Sequence, residues 1–320
     1  MNKPLFFVFP GQGSQKVGMG LDLYKNHKVA KEVFDEVDDS LNQKLSEIIF
    51  YGSEEELRFT PNTQPALMVV SIAITRILEY ELKKNISEFV KIVAGHSLGE
   101  YSALCSTGSL TLKDTTKLLR ERGNSMQNAV KDIETKMTAV IGLDLNKVEE
   151  SIKNCSLGEG EQCEIANDNC PGQIIISGTT LGVDKVSDAL KKHGARSLID
   201  LNVSAPFHCS LMKSASLELK EIIINSKLEQ VHTDFISNVT ANYEKESEKI
   251  KELLVEQIFS RVRWRETILL AEKSNAKIIE VGSGKVLTGI NKRINRDIEV
   301  ENISNLSEIE LFLKKNQKSI

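Results

Sequence analysis

The chain has 320 residues, 40% of them hydrophobic, and a formal net charge of −4. That length suits one large domain, or a large domain with a small insert, and the apolar content can bury a sizeable core. The mildly acidic balance argues against a general nucleic-acid binder, and five cysteines without CxxC spacing predict a reduced chain with no disulfide framework and no zinc site.

In chain order, PLFFVFP (4–10) reads as a buried strand that runs into a loop at Pro10-Gly11. This opening run is too short for a signal peptide or a bilayer span, so a soluble, cytoplasmic protein with no membrane partner is expected. TQPALMVVSIAITRILEYEL (63–82) is too long for a strand and has helical spacing, with Pro65 expected in its first turn. FVKIVAGH (89–96) reads as a second buried strand, SLGEYSALCSTG as the helix after it, and LKDTTKLLRERGNSMQNAV (112–130) as another helix.

Residues 132–204 have an order of their own. KMTAVIGL, CEIANDN, GQIIISG and ARSLIDLNVS are strand-like, NKVEESIKN and VDKVSDALKKHG helical, and Cys170-Pro171-Gly172 marks a turn. The order βαββαβ predicts an inserted ferredoxin-like subdomain. Beyond it, helices LMKSASLELKEIIINS, KIKELLVEQIFSRV, RETILLAEKS and KVLTGINKRI alternate with strands TDFISNVT and KIIEVGS. The whole predicts an α/β fold with a mostly parallel sheet, its core formed by 1–131 and 205–320.

The stretch that carries chemistry is KIVAGHSLGEYSALCSTG, centred on Gly95-His96-Ser97-Leu98-Gly99. A GxSxG pentapeptide alone could be an ordinary glycine-lined turn. Here it lies between a predicted strand and a predicted helix, where a tight turn thrusts the serine hydroxyl out of the sheet. The helix start offers free N–H groups, and Leu98, next after Ser97, is placed to donate its N–H to a developing oxyanion.

A serine nucleophile needs a base, and the chain has five histidines. His27, in a polar helical stretch, and His193, at a helix end, read as solvated, and His232 precedes a strand. His96 adjoins Ser97 and is poorly directed for proton transfer, though it can line the pocket. His208, in NVSAPFHCSLM between a strand end and a helix start, is the best-placed base. No third member is evident. Asp200 is the nearest acid upstream, and a backbone carbonyl could orient the imidazole equally well.

These residues resemble the malonyl-CoA:acyl-carrier-protein transacylases of type II fatty acid synthesis. The matching blocks are FVFPGQGSQKVGMG, NTQPAL, AGHSLGEYSAL, RGNSMQ, SAPFHCSLM, EQIFSRVRW and EVGSGKVLTGINKR. The resemblance implies an α/β-hydrolase-like core with a ferredoxin-like insert and a Ser97–His208 dyad. It implies that Gln12 and Leu98 serve the oxyanion hole, that Arg122 grips the malonyl carboxylate with Gln64 lining the same pocket, and that Gln257 orients His208 through its main-chain carbonyl. By position alone Arg122 could be a solvated helix charge, as Arg120 is expected to be. A buried carboxylate nevertheless requires a fixed cation, and guanidinium offers two parallel donors.

Malonyl-CoA and holo acyl carrier protein are the implied partners of an expected monomer. No metal or redox cofactor is implied, since coenzyme A arrives with the substrate. Because such carriers are acidic, a basic docking mouth is expected among Lys191, Lys192, Arg196, Lys213, Lys285, Lys292 and Arg293. The competing readings are a polyketide acyltransferase or acyl hydrolase with the same blocks, and an idle carrier-binding scaffold. Arg122 and Phe207 favour malonyl, and the presence of both Ser97 and His208 disfavours the scaffold.

Overall fold

The run Leu5–Phe9 (β1) is buried at every position because its side chains alternate between two apolar layers. Phe7 and Phe9 face one layer, and Phe6 and Val8 the other. Val90–Gly95 (β2) divides its side chains the same way, Val93 to the first layer and Ile92 and Ala94 to the second. Strands apolar on both faces must be covered on both faces, which is the arrangement of a parallel α/β sheet.

The structure is a computed structural model that describes residues 3–316. Eight further strands follow: β3 (Thr135–Ile141), β4 (Cys163–Cys170), β5 (Gln173–Thr179), β6 (Ser197–Asp200), β7 (Asp234–Ile236), β8 (Tyr243–Glu244), β9 (Lys277–Val281) and β10 (Val300–Ile303). The larger sheet has the order β10-β9-β1-β2-β7-β8. Its pairs are parallel except β7 with β8, an antiparallel edge. β1 and β2 are therefore central, and the turn after β2 opens at the carboxyl end of the sheet, where open α/β sheets build their sites.

The insert forms the antiparallel sheet β4-β5-β3-β6, the strand order of a ferredoxin-like unit. Helices Leu145–Asn154 and Thr180–Lys192 cover one face, where Val148, Val183, Val186 and Leu190 pack on Val140, Ile174 and Ile176. The opposite face contributes Met137, Ala139 and Ile175 to the main core. The α/β core and its ferredoxin-like insert thus match the architecture expected from the sequence.

Some elements differ. The long helix starts at Thr60 and ends at Leu82, with Pro61 in its first turn and Pro65 inside it. Pro65 has no N–H to return to the Pro61 carbonyl, a loss tolerated because the segment is held by packing: the helix is buried on every side from Thr60 to Thr75. His27 is not helical but extended, at φ −135°, between the helices Leu21–Asn26 and Lys28–Leu41. β8 and β10, two and four residues long, were too short to be foreseen, and the helix Leu306–Asn316, which buries Ile309 and Phe312 at helical spacing, was not among the expected elements. Among the described residues, no helix is long and apolar enough to cross a membrane.

Candidate active site

The turn after β2 is built by close approach. A Cβ on Gly95 would lie 1.8 Å from the Gly99 carbonyl carbon, and one on Gly99 would lie 2.3 Å from the Phe9 oxygen, so neither position accepts a side chain. Between them Ser97 has φ +55°, a left-handed conformation that costs an L-residue roughly 1–2 kcal/mol. The helix Gly99–Ser106 begins immediately after.

Accounting for the N–H groups of this elbow isolates one donor. His96 N–H donates to the Phe9 carbonyl, and those of Gly99, Glu100 and Tyr101 donate to His96, Ser97 and Leu98 carbonyls. Ser97 N–H donates to Asn238 Oδ1 at 2.8 Å. The Leu98 N–H is left free of any acceptor among the described residues, beside the serine hydroxyl at the helix start.

Ser97 Oγ is 2.8 Å from His208 Nε2, and His208 Nδ1 donates to the Gln257 main-chain carbonyl at 2.9 Å. That second bond leaves Nε2 with its lone pair toward the hydroxyl. His208 is 3% exposed and itself left-handed, with φ +59°. Burial, and then the Arg122 charge, push its pKa down to about 3, against the pull of the Gln257 carbonyl. The imidazole is neutral at ordinary pH and ready to accept a proton.

Arg122 is 2% exposed. Its Nη1 donates to Gln64 Oε1 at 2.7 Å, and its Nη2 donates to Gln257 Oε1 at 2.7 Å and to Ser97 Oγ at 3.1 Å. Its Nε is buried without an acceptor. No carboxylate pairs with it directly among the described residues, so a buried cation faces the nucleophile with its charge available to a ligand. Gln12 joins the same network. Thr60 Oγ1 donates to Gln12 Oε1 at 3.0 Å, Gln64 Nε2 donates to Thr60 Oγ1 at 3.3 Å, and Gln12 Nε2 is buried without an acceptor.

The seven residues expected at the site therefore converge: Ser97, Leu98, His208, Arg122, Gln64, Gln257 and Gln12. Others did not read out as expected. Asp200 points away, accepting from Thr138 and pairing with Lys136, both at 2.8 Å. Arg120 is half-buried rather than solvated and donates to Asn62 Oδ1 at 3.1 Å. His27 is half-buried, 3.5 Å from Glu81 and edge-on to Tyr80, whereas His193 is exposed as expected, with its Nδ1 2.6 Å from Ser151 Oγ. Cys209, beside His208, is buried, and that burial pushes its thiol up to about 11, far from a reactive thiolate.

Sequence reasoning missed Glu100, Asn238 and Asn169. Glu100 is 1% exposed and accepts from the Asn238 N–H at 2.6 Å and from Gln257 Nε2 at 2.7 Å. Its spacing of three residues from Ser97, one helical turn, was the available signal. Asn238 also donates to the Gly95 carbonyl at 2.7 Å, and nothing in the string SNVT marks it out. Asn169 Oδ1, from the insert, meets His96 Nε2 at 2.9 Å, which holds that ring away from the serine.

A cleft of about 580 Å³ opens at His208, between Glu149, Ile152 and Glu164 of the insert and Lys213, Phe259 and Arg261 of the core. Of the seven cations expected at a docking mouth, Lys213 lines this cleft. Lys191 pairs with Asp188, Lys292 donates to the Ile298 carbonyl, Arg293 donates to Gln173, and Lys192 lines a separate hollow with His193. Among the described residues no group of three or more His, Cys, Asp or Glu is placed to hold a metal ion.

Comparison with known proteins gives the chain's relatives. A model of the acyl transferase domain matches residues 6–318. The malonyl CoA-acyl carrier protein transacylase of Bacillus subtilis is 44% identical over 310 residues, 96% of each chain. The protein of the same name from Haemophilus influenzae is 38% identical over 315 residues, 97% of this chain and 99% of that one. Among solved structures, an acyl-carrier-protein-S-malonyltransferase from Bartonella henselae superposes with a TM-score of 0.93 at 46% identity, over 98% of this chain and 99% of that one. A malonyl-transacylase in complex with its type II PKS acyl-carrier protein superposes at 0.92 with 35% identity, over 98% and 100%. The chain belongs to the acyl transferase domain family.

Proposed function

We propose that this protein transfers a malonyl group from malonyl-CoA to the phosphopantetheine thiol of acyl carrier protein, through a malonyl-Ser97 ester, and so supplies the extender unit of fatty acid synthesis. One observation carries the choice of acyl group: the buried Arg122 guanidinium donates to Ser97 Oγ itself. A cation held against the nucleophile, with no carboxylate of its own, favours an acyl group that brings one. The names of the relatives point the same way.

In the first half-reaction Ser97 Oγ attacks the thioester carbonyl carbon while its proton passes to His208 Nε2. The carbonyl electrons move onto oxygen, and the Leu98 N–H, with Gln12 alongside, stabilises that oxyanion. Collapse breaks the C–S bond, and the departing sulfur takes the proton from His208, which leaves malonyl-Ser97 and coenzyme A. In the second half the carrier thiol gives its proton to His208 and attacks the ester, and Ser97 leaves with that proton. Gln257 keeps His208 in the required tautomer throughout, the part an acid plays in a triad. Gln64 keeps Arg122 aimed at the malonyl carboxylate. The kinetics are ping-pong.

The division of labour follows the chain. The core, 1–131 with 205–320, carries the dyad and Arg122, and the insert, 132–204, forms the far wall of the cleft along which the pantetheine arm reaches His208. Lys213, on the core side of that cleft, is the member of the expected docking patch best placed to meet the acidic carrier. The protein works as a soluble cytoplasmic monomer and draws on no metal or redox cofactor.

Brief mixing with malonyl-CoA or acetyl-CoA, read by intact-protein mass spectrometry, tests the proposal. A malonyl adduct on Ser97, absent with acetyl-CoA and discharged by holo carrier protein, is the expected result. Free malonate without an adduct would replace transfer with hydrolysis, and neither product would remove malonyl as the substrate.

A further inference from the structure

Resting on the acyl-transfer reading above, we infer that Glu100 is the positioning residue that presents Arg122 to a carboxylated acyl group, acting through the side chain of Gln257.

The argument begins with the amide of Gln257, which is wholly buried. Its Nε2 donates twice, to the Ser97 carbonyl at 2.7 Å and to Glu100 Oε2 at 2.7 Å, and its Oε1 accepts from Arg122 Nη2 at 2.7 Å. A primary amide can be turned over at almost no steric cost, so its sense is set by its neighbours. Arg122 can only donate, and it demands the oxygen. Glu100 and the Ser97 carbonyl accept, and they demand the nitrogen. If the amide were reversed, NH₂ would face guanidinium and the oxygen would face two acceptors.

Glu100 is fixed for this task from its other side. Its Oε1 accepts from the Asn238 N–H at 2.6 Å, and Asn238 binds both ends of the elbow, the Ser97 N–H and the Gly95 carbonyl. Both carboxylate oxygens therefore meet donors, an arrangement that an isosteric amide cannot satisfy. Glutamine at position 100 could serve one donor and would oppose the other with its own NH₂.

The relay also explains how a cation is kept buried yet available. A carboxylate bonded directly to Arg122 would compete with the acyl group's own carboxylate. Glu100 meets the guanidinium only at one remove, with Gln257 between them, so the relay orients Arg122 while the guanidinium stays open toward Ser97. Burial raises the Glu100 carboxyl to about 8, while the Asn238 and Gln257 bonds and the Arg122 charge draw it down. The groups that order the site are the ones that favour its ionised form.

The test compares two labels on Ser97 in wild type, Glu100→Gln, Gln257→Ala and the double variant. One is the malonyl adduct from malonyl-CoA, and the other is phosphonylation by a neutral fluorophosphonate, which needs the dyad but no carboxylate site. Glu100→Gln should lower malonyl loading about tenfold more than it lowers phosphonylation, and the double variant should be no worse than the worse single one. Equal losses in both labels, no loss, or single losses that multiply in the double variant would each overturn the inference. If Glu100→Gln does not fold, Glu100→Asp draws the carboxylate one methylene back from Gln257 and carries the same comparison. Wild type that phosphonylates but takes no malonyl would remove the acyl reading and this inference together. Wild type that takes malonyl, with variants of unaltered label ratio, would remove the inference alone.

Discussion

Gly123 lies directly against Pro61: a Cβ at position 123 would come 2.5 Å from the Pro61 Cα and 2.8 Å from its nitrogen. The two residues belong to the helices Leu112–Asn128 and Thr60–Leu82, and their contact sets how near Arg122 comes to Gln64. Gly123→Ala has no flexible side chain to displace, since backbone is what it meets. It should destabilise the protein by about 1–3 kcal/mol and separate Arg122 from Gln64, so that malonyl loading falls more than fluorophosphonate labelling. Urea midpoints and the two labelling rates measure this, and an unchanged midpoint would show that the helices part freely.

The strained elbow sets stability against function at one residue. Ser97→Ala and Ser97→Gly both remove the nucleophile, and both should abolish the malonyl adduct. They differ in the backbone, because alanine retains the φ of +55° as strain and glycine does not. Ser97→Gly should therefore be more stable than Ser97→Ala by about 1 kcal/mol. Equal unfolding midpoints would mean that the turn relaxes when the hydroxyl is gone.

His208 makes a prediction about pH. With its pKa pushed down to about 3, it is already neutral at pH 5, so the rate of fluorophosphonate labelling should be flat from pH 5 to 7. A rate that halved near pH 6.5 would restore an ordinary imidazole. The stability effect has a definite sign. Between about 6.5 and about 3 the unfolded chain binds the proton and the folded chain does not, so stability is lost as pH falls through that window. Glu100 acts in the opposite sense, losing stability as pH rises from 4.5 to about 8, and only a difference against a variant isolates the histidine. His208→Asn should gain on wild type by about 2 kcal/mol between pH 6.5 and 5, read as the change in the gap between their unfolding midpoints.

What the sequence disclosed, and what it withheld, divides by the range of the interaction. The Ser97 elbow was legible because its requirements are local: a strand, two glycines in contact and a helix start occupy consecutive positions. The insert was legible because each strand and helix carries its own period. Arg122, Gln12 and Gln257 could be assigned through family resemblance alone, because their burial depends on packing between helices far apart in the chain. Arg120, two residues from Arg122 on the same helix, shows the limit, since nothing local says which of the two turns inward. Glu100 lies in the Ser97 motif, but a carboxylate in a first helical turn is ordinarily a helix-dipole partner, and only the fold surrounds this one with Asn238 and Gln257. The start expected at Thr63, with Pro65 in the first turn, has a similar cause, since proline usually marks a first turn and here tertiary packing carries the helix back to Thr60.

The insert is fastened to the core beside the nucleophile, and that joint can be tested by itself. Asp168 of β4 is fully buried, and Arg265 of the core grips it at 2.8–3.1 Å through Nε and Nη2. The backbone joins at the same place, with Asp168 N–H donating to the Val262 carbonyl and Val262 N–H to the Ala166 carbonyl. One residue further on, Asn169 meets His96, the neighbour of Ser97. Arg265→Met would strand a buried carboxylate and should cost about 3–5 kcal/mol, whereas pairing it with Asp168→Asn should recover a good part of that loss. The Asn169–His96 contact should loosen with the joint, so Arg265→Met should also slow malonyl loading in protein that is still folded. Unfolding midpoints of the two single variants and the double variant give the coupling. Additive losses would mean that the β-bridge at Val262 holds the insert without the ion pair.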